Sequence, residues 1–249
     1  MSKHVESLRA IFKKIASGEN PQDLKEEIKS ILREIPPAEF GEAENALLED
    51  GLAPENLRHL CTAHIEIMDE QNQSSKPPVG HLVRTFMDEH DEILHFLDLL
   101  ETINQKIQKA ETKGDIAEED KRALIDISSK LEGAEPHHKR EEEVLFPAME
   151  ENGVYGPPEM MRIEHVDLRV NKQALLEVAN KLEEMDFKNF KDESQKYAEF
   201  IIFNLRDHIF KENNILYPTA LEALTDEAIW QDLKNKCDEI GYCSFTKSH

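Results

Sequence analysis

The chain has 249 residues, a formal net charge of −22, 33% charged residues and only 6% aromatic residues. Nucleic acid and anionic membrane surfaces need clustered lysine and arginine, so this charge argues against both as partners. No stretch approaches the roughly 18 apolar residues that span a bilayer. The N-terminus carries charges where a signal peptide needs apolar residues. Three cysteines do not make a disulfide framework, so we expect a cytoplasmic protein with reduced thiols.

Apolar residues recur at the i, i+3, i+4 spacing of helices along the whole chain, which predicts an all-α protein. Residues 1–72 carry four short helical patterns separated by proline and glycine, so we expect a small helical N-terminal domain. Within it, Cys61 and His64 share one helix face, which fits a buried core pair, with a reactive or metal-binding pair as the alternative. Residues 73–80 are rich in turn-forming residues and predict a linker.

Four long helical patterns follow within residues 81–224. We expect them at about residues 79–112, 118–151, 157–185 and 187–218. Gly133 and Pro136 should interrupt the second of these helices. Short connections make consecutive helices antiparallel neighbours, so the sequence predicts an up-down-up-down four-helix bundle. Residues 225–249 should form a short helix and a C-terminal tail.

The second and fourth long helices carry nearly the same motif. His137-x-x-x-Glu141 and His208-x-x-x-Glu212 are each followed, three residues later, by Leu-aromatic-Pro. Residues i and i+4 lie on one helix face, so each motif aims an imidazole and a carboxylate at one point. Two such helices facing each other across a bundle core predict a site for a pair of metal ions.

The first and third long helices repeat a second signal. Glu89-His90 and Glu164-His165 occupy matching places in these helices, 75 residues apart. The bundle is therefore an internal repeat of one helical hairpin, and each copy supplies one histidine and then one His-x-x-x-Glu motif. This repetition argues against the alternative that each His-x-x-x-Glu motif is a chance pair on a solvated helix face.

The register of the second helix needs an argument, because His138 and Glu142 have the same spacing as His137 and Glu141. Glu212 stands six residues before Pro218, and Glu141 stands six residues before Pro147. The repeat therefore favours the pair His137 and Glu141, with Glu142 as the alternative carboxylate. His138 is then expected on a partly exposed flank of the helix.

Other residues are expected to have supporting or incidental roles. His81 and His95 should point away from the site, and Cys237 and Cys243 lack ligand partners in their surroundings. Aromatic side chains should limit the access of water to the site: Phe86, Phe146, Phe203 and Phe210.

From about residue 79 to residue 224 these motifs resemble the hemerythrin-like (HHE cation-binding) domains. The arrangement is similar to that of the repair-of-iron-centres proteins, which have a small helical domain before such a bundle. The resemblance implies a centre of two non-haem iron ions with glutamates as bridges; manganese or zinc would also accept imidazole and carboxylate ligands. The ligands carried over by position are His90, His137, Glu141, His165, His208 and Glu212.

One departure from the family pattern concerns Arg169. Oxygen-carrying hemerythrins have a further histidine one turn after the ligand of the third helix, and this chain has arginine there. A guanidinium has no lone pair to give a metal. The resemblance then implies an exchangeable position for water, oxygen or nitric oxide, and favours a redox, sensing or iron-donating protein over a dedicated carrier.

Three functions stay open at this stage. The first is a response to oxygen, nitric oxide or oxidative stress, with donation of iron for the repair of iron-sulfur clusters. The second is a sensor whose metal state controls a homodimer or a protein partner through the N-terminal domain. The third is catalysis, as a di-iron peroxidase or nitric oxide reductase.

Overall fold

The computed structural model describes residues 76–247 and three isolated positions, 6, 30 and 31. The chain divides into two compact units, Met1–Ser75 and Lys76–His249. All helices with described bounds belong to the second unit. The four helices predicted for residues 1–72, and the Cys61–His64 pair, lie outside the described residues.

The second unit is helical, as the apolar periodicity predicts, and has no strand within the described residues. Its helices are α1 (Leu82–Lys109), α2 (Glu118–Glu132), α3 (Glu135–Arg140), α4 (Phe146–Glu151), α5 (Gly156–Asn180), α6 (Phe187–Lys211), α7 (Tyr217–Ala223) and α8 (Glu227–Ile240). Two π-helical turns, Glu141–Leu145 and Glu212–Leu216, join α3 to α4 and α6 to α7. None of the described helices is long and apolar enough to cross a membrane.

Four rods build the bundle: α1, the broken rod α2–α4, α5, and the rod α6–α7. Helix α1 packs against α2 and α6, and α5 packs against the same two helices, so the rods close a ring around one core. The predicted all-α, up-down-up-down four-helix bundle is confirmed.

Capping side chains set where two of the rods begin. The Nδ1 atom of His81 accepts a hydrogen bond from the Val83 N–H at 3.2 Å and starts α1. Asp186 accepts from the Asn189 N–H at the start of α6. Helix α5 ends at Asn180, before its predicted end, because residues 181–185 form a hydrogen-bonded turn that leads directly into the cap of α6.

The second rod is broken where the sequence predicts it. Helix α2 ends at Glu132, and Pro136 lies in the first turn of α3, where a missing N–H leaves no helical bond unmade. Pro147 and Pro218 take the same position in α4 and α7, directly after the π turns. A proline ring clashes with the carbonyl four residues earlier in a regular helix, so a wider turn before each proline relieves that clash.

Two apolar clusters flank a polar layer in the bundle. Along α1, Phe86 belongs to the cluster near α4, α7 and α8, and Leu97 belongs to the cluster that fills the opposite end. His90 lies between them. Burial of each large apolar side chain contributes about 1.5–3 kcal/mol, so the two clusters hold the helices that carry the polar layer.

The C-terminal helix and tail belong to this core. Trp230 and Cys237 of α8 are buried in the cluster near α4 and α7, and Cys243 is buried in the other cluster. Burial raises the pKa of both thiols to about 12, so they stay protonated and unreactive at neutral pH. Further along the tail, the Thr246 hydroxyl donates a hydrogen bond to Glu89 beside the polar layer.

Candidate metal centre

The structure brings the six predicted ligand residues into one buried layer between the apolar clusters. Each is at most 1% exposed. Glu141 and Glu212 are the first residues of the two π turns, and one histidine comes from each of α1, α3, α5 and α6. Within the described residues, three groups of side chains are spaced to hold a metal ion: His90 with His137 and Glu212, Glu141 with His165 and Glu212, and His138 with His165 and His208.

The four imidazoles of the predicted set form two pairs. The Nε2 atoms of His90 and His137 are 3.0 Å apart, and those of His165 and His208 are also 3.0 Å apart. Ligand atoms about 2.1 Å from one metal and at right angles to each other lie about 3 Å apart. Each pair therefore has the spacing of two ligands on one metal ion.

The two carboxylates reach both pairs. Glu212 places Oε2 at 3.1 Å from His90 Nε2 and Oε1 at 2.8 Å from His208 Nε2. Glu141 places its Oε2 at 3.6 Å from both His137 Nε2 and His165 Nε2. Each carboxylate therefore lies between the two imidazole pairs.

Each imidazole of the first pair is held from behind by a residue of another helix. His137 Nδ1 is 2.6 Å from Glu89 Oε2, and His90 Nδ1 is 2.9 Å from Asn213 Oδ1. Glu89 is in turn held by Arg140, whose Nη2 donates to both carboxylate oxygens at 2.7 Å. Such outer contacts fix the ring orientation and the tautomer of a ligand histidine.

The second pair is held in the same way. His208 Nδ1 is 2.8 Å from Glu164 Oε2, and His165 Nδ1 is 2.7 Å from Glu142 Oε1. In both hairpins, the glutamate before the first histidine supports the second histidine of its own hairpin. The residue after the central glutamate, Glu142 after Glu141 and Asn213 after Glu212, supports the first histidine of the opposite hairpin. The supporting residues thus follow the internal repeat as closely as the six central ones.

This support decides where the imidazole protons lie. Carboxylate and amide oxygens can only accept, so each neutral imidazole carries its proton on Nδ1 and turns the Nε2 lone pair toward the centre. Both oxygens of Glu212, and Oε2 of Glu141, are buried without a hydrogen-bond donor in the described part of the chain. Four lone pairs and two carboxylates therefore face one another, which is a donor set that suits metal cations.

Without metal, protons must relieve part of this repulsion. Burial and the neighbouring Glu212 raise the pKa of Glu141 well above its usual value. Burial lowers the pKa of His137 to about 4. For His208, burial lowers the pKa, but Glu212 and Glu164 outweigh it and bring the pKa to about 9. These shifts favour protonation of Glu141 and His208 over His137 in the metal-free centre.

The Tyr217 hydroxyl covers the first pair. It donates to Glu141 Oε1 at 2.8 Å and lies 3.5 Å from His90 Nε2. Burial raises the pKa of Tyr217 well above its usual value, so the hydroxyl keeps its proton. The equivalent residue of the other repeat is Phe146, which makes the surroundings of the two pairs chemically different.

The two carboxylates that compete in sequence take different positions. Glu141 is fully buried in the centre, whereas the Glu142 side chain is 24% exposed and lies on the outer side of His165. The π turn begins at Glu141 and carries both of these consecutive side chains toward the site, one into it and one behind it.

The position expected for His138 is wrong. Its side chain is 3% exposed, and its ring stacks on the His165 ring with centroids 3.9 Å apart and an angle of 11°. Helical spacing places this residue beside His137 on the flank, but it does not show that α5 packs over that flank. His138 therefore lies inside the bundle.

Arg169 supports the second pair from α5. Its Nε donates to Glu135 at 2.9 Å, and its Nη2 donates to Glu142 Oε1 at 3.0 Å. Because Glu142 holds His165, this arginine acts on the centre through a supporting carboxylate. The position that holds a further histidine in oxygen carriers thus belongs here to an outer ion pair.

The remaining sequence predictions have mixed outcomes. Phe86 and Phe146 are fully buried beside the centre, but Phe203 is 37% exposed and cannot shield it; the prediction for Phe203 is wrong because that position faces outward on α6. His81 caps α1 and His95 is exposed, as expected for residues off the site.

Five contributors were not assigned these roles from the sequence. Four of them support the imidazoles, and the internal repeat could have indicated them. A glutamate precedes the histidine in the first helix of each hairpin, and a polar residue follows the glutamate of each His-x-x-x-Glu motif. The fifth is Tyr217. Its signal in the sequence is that one Leu-aromatic-Pro motif has tyrosine where the other has phenylalanine. The supporting residues are Glu89, Glu142, Glu164 and Asn213.

The fold and the site together define a class: a metal-binding four-helix bundle with a histidine and carboxylate centre. The family model for the hemerythrin HHE cation binding domain matches residues 81–220, and a model described as a family of unknown function (DUF438) matches residues 8–73. No curated protein matches the chain. The first match covers more than half of the chain, so the protein belongs to the hemerythrin HHE cation-binding domain family.

Proposed function

We propose that the centre holds two iron ions, one on His90 and His137 and the other on His165 and His208, with Glu141 and Glu212 as bridges. The observation that carries this proposal is that each carboxylate reaches imidazoles of both pairs, at 2.8 and 3.1 Å for Glu212 and at 3.6 Å for Glu141. A buried carboxylate close to both imidazole pairs is stabilised when two cations lie between the pairs, because its negative charge is then compensated.

The proposed role is a cytoplasmic response to oxygen, nitric oxide or oxidative stress, with donation of iron for the repair of iron-sulfur clusters. When bound, the iron pair would supply one-electron chemistry and a position for a diatomic ligand. The chain's own residues orient the lone pairs through Nδ1 supports, and Phe86 and Phe146 limit water. The described cysteines, Cys237 and Cys243, are free, which fits a reducing compartment.

Metal uptake by the full chain tests this proposal. Metal-free protein is reconstituted with ferrous iron without oxygen, and iron is counted per chain before and after gel filtration. We expect two irons per chain, an absorption change on exposure to oxygen or nitric oxide, and transfer of iron to an apo iron-sulfur acceptor.

The exposed His95→Ala variant is the matched control, because it removes one histidine without touching the centre. It should retain both irons, and the double variant His137→Ala, His208→Ala should retain neither. Wild-type protein that takes up fewer than two irons per chain would overturn the proposal. Two bound irons without any response to the diatomic gases would limit the protein to iron storage or donation.

A second candidate function is catalysis by the same centre, as a peroxidase or nitric oxide reductase. The Tyr217 hydroxyl, 2.8 Å from Glu141 and 3.5 Å from His90 Nε2, favours it because it is a buried proton donor beside the first pair. The Tyr217→Phe variant removes that proton and keeps the ring. Turnover above that of free iron, lost in Tyr217→Phe while both irons are retained, would support catalysis.

The third role, control of a homodimer or a protein partner, depends on residues 1–72 and lies outside the described part of the chain. Scattering profiles of the reduced and oxidised full chain test it. A change of size or shape between the two states would support such a role, and identical profiles would count against it.

A further inference from the structure

The segment of residues 242–247 leaves the end of α8 through Gly241. This glycine has φ 93° and ψ −176°, in the region that L side chains rarely adopt, so the backbone can turn away from the helix at this point. No regular helix or strand follows within the described residues. The position of the 242–247 segment therefore depends on the contacts of its side chains.

Two residues of this segment contact the outer support of the first imidazole pair. The Thr246 hydroxyl donates to Glu89 Oε1, and the centre of the Tyr242 ring lies 4.6 Å from the guanidinium carbon of Arg140. Glu89 and Arg140 form the ion pair that holds His137. The segment therefore shields from water an ion pair that fixes the orientation of one ligand imidazole.

The rest of the segment is held near the surface. The Phe245 ring packs edge-on against Phe96 with centroids 5.2 Å apart. Lys247, whose side chain is 56% exposed, pairs with Glu92 at 2.8 Å. Exposed ion pairs contribute little to stability, and short segments without regular structure open locally while the core stays folded. The segment can therefore open without unfolding of the bundle.

A cleft of about 310 Å³ borders the segment, and its lining includes Tyr242 and Thr246, the two residues that contact the ion pair. A water molecule occupies only about 30 Å³ in the liquid, so the cleft has room for several. Solvent thus reaches one side of the segment, while the other side contacts Glu89 and Arg140.

Solvent reaches the supports of the second imidazole pair without any movement of the chain. The Glu142 and Glu164 side chains are each 24% exposed, whereas Glu89 is 1% exposed. Opening of the 242–247 segment would therefore change the surroundings of the first pair and leave those of the second pair as they are.

We propose that residues 242–247 act as a strap that controls the exchange of the metal held by the first imidazole pair. While the strap is closed, Thr246 holds Glu89 and the ion pair stays dry. Opening removes this hydrogen bond and admits water to Glu89, which weakens the support of His137. The inference rests on the proposed two-metal centre, and it assigns the donated iron to one half of that centre.

The reactivity of Cys243 measures the opening. Cys243 is buried within the segment and Cys237 is buried in α8, so neither thiol is accessible in the closed state. A thiol reagent is added to the full cobalt(II)-loaded chain, and fragmentation of the peptide 237–247 assigns the label to one cysteine. Cys243 should react at least about 10-fold faster than Cys237, because local opening is more frequent than loss of a core helix. Equal rates would overturn the inference, since the segment would then open only together with α8.

Metal release gives the second readout. Phe245→Ala removes the packing against Phe96 and keeps the Thr246 hydroxyl. It should speed Cys243 labelling and the loss of one cobalt ion to a chelator by the same factor, at least about 10-fold, while the other ion leaves at the wild-type rate. Phe187→Ala is the matched control, because Phe187 is also partly buried against the same apolar cluster; it should change neither rate.

The half that loses its metal is assigned with Glu142→Gln, which acts on the second pair, so the ion that Phe245→Ala releases faster must be the other one. Unchanged labelling in folded Phe245→Ala, faster labelling with unchanged metal release, and equal acceleration of both ions would each overturn the inference. If Phe245→Ala does not fold, Lys247→Glu, which places a negative charge opposite Glu92, takes its place. Wild-type protein that binds no pair of metals would instead refute the two-metal centre itself, so the two failures are distinguishable.

Discussion

The two halves of the centre have the same geometry but unlike supports. In the half with His90 and His137, the supporting Glu89 is fully buried and its partner Arg140 is 0% exposed. In the half with His165 and His208, the supporting carboxylates Glu142 and Glu164 are each 24% exposed and pair with Arg169 and Lys211. One half is held by a dry ion pair and the other by ion pairs at the surface.

This difference shows that the spacing of the ligand atoms and the surroundings of each imidazole pair can vary independently in the two repeats. The spacing of the ligand atoms is common to both halves, since the Nε2 atoms are 3.0 Å apart in each. The surroundings are not common, since a hydroxyl lies beside one pair and a fifth imidazole lies beside the other. The two copies of the hairpin thus have the same spacing between imidazole nitrogens, while the chemical groups around each pair differ.

The largest expected effect comes from breaking what the halves share. Glu212→Gln removes the charge of the carboxylate that lies 3.1 Å from His90 and 2.8 Å from His208. Both metals should be affected, with a loss of affinity greater than the roughly 10–100-fold that the loss of an outer support costs. Competition with a chelator measures it, and the exposed Glu222→Gln is the matched control. Loss of only one metal would show that Glu212 is not a bridge.

The second prediction concerns the dry support of the first half. Arg140→Met leaves Glu89 charged and buried without its cationic partner, and breaking a buried ion pair in this way costs about 3–5 kcal/mol. Lys211→Met at the surface of the second half should cost less than about 1 kcal/mol. Chemical unfolding of the metal-free chain measures both, with the fluorescence of Trp230, the single tryptophan of the chain. Equal losses in the two variants would contradict the distinction between the halves.

The central ligand candidates were accessible from sequence because they follow local rules. An i, i+4 pair on one helix needs no knowledge of the fold, and the two Leu-aromatic-Pro motifs fix the register between the copies. Pro136 also predicts the break in the second rod, because proline lacks the backbone N–H that a continuous helix needs at that position.

The supports and His138 were not accessible for the opposite reason. Whether Glu142 faces solvent or His165 depends on which helix packs over it and on the π turn that begins at Glu141, and both depend on contacts between distant segments. His138 was expected on an exposed flank for the same reason. Periodicity describes one helix at a time, and the outer contacts of this centre join different helices.

The third prediction weakens one half alone. Glu142→Gln replaces the carboxylate behind His165 by an amide, which is the kind of support that Asn213 gives His90. The metal on His165 should then bind about 10-fold more weakly, at the lower end of what outer-shell changes cost. Stepwise titration with cobalt(II) resolves the two sites. The reverse change, Asn213→Asp, should strengthen the other half, and a fall in affinity there would contradict this account.

The fourth prediction uses the unequal protonation of the halves. The pKa of His208 is about 9 and that of His137 is about 4, so at pH 7 His137, in the first half, need not lose a proton to bind metal, whereas His208, in the second half, must. The affinity of that half should rise about tenfold per pH unit for this proton and level off above pH 9. Calorimetry in buffers of different ionisation enthalpy counts the protons released. Binding without proton release at pH 7 would contradict the raised pKa of His208.

The smallest expected effect tests how far the support of the second half extends. Arg169 is 31% exposed at its side chain and acts on His165 only through Glu142, and surface ion pairs contribute about 0–1 kcal/mol. Arg169→Leu, which introduces the residue found at the matching position of α1, Leu94, should change stability within that range. It should also weaken the metal on His165 less than Glu142→Gln does, because the carboxylate itself remains. A larger loss than in Glu142→Gln would mean that the arginine reaches the centre by a second route, and the double variant would then lose more affinity than Glu142→Gln alone.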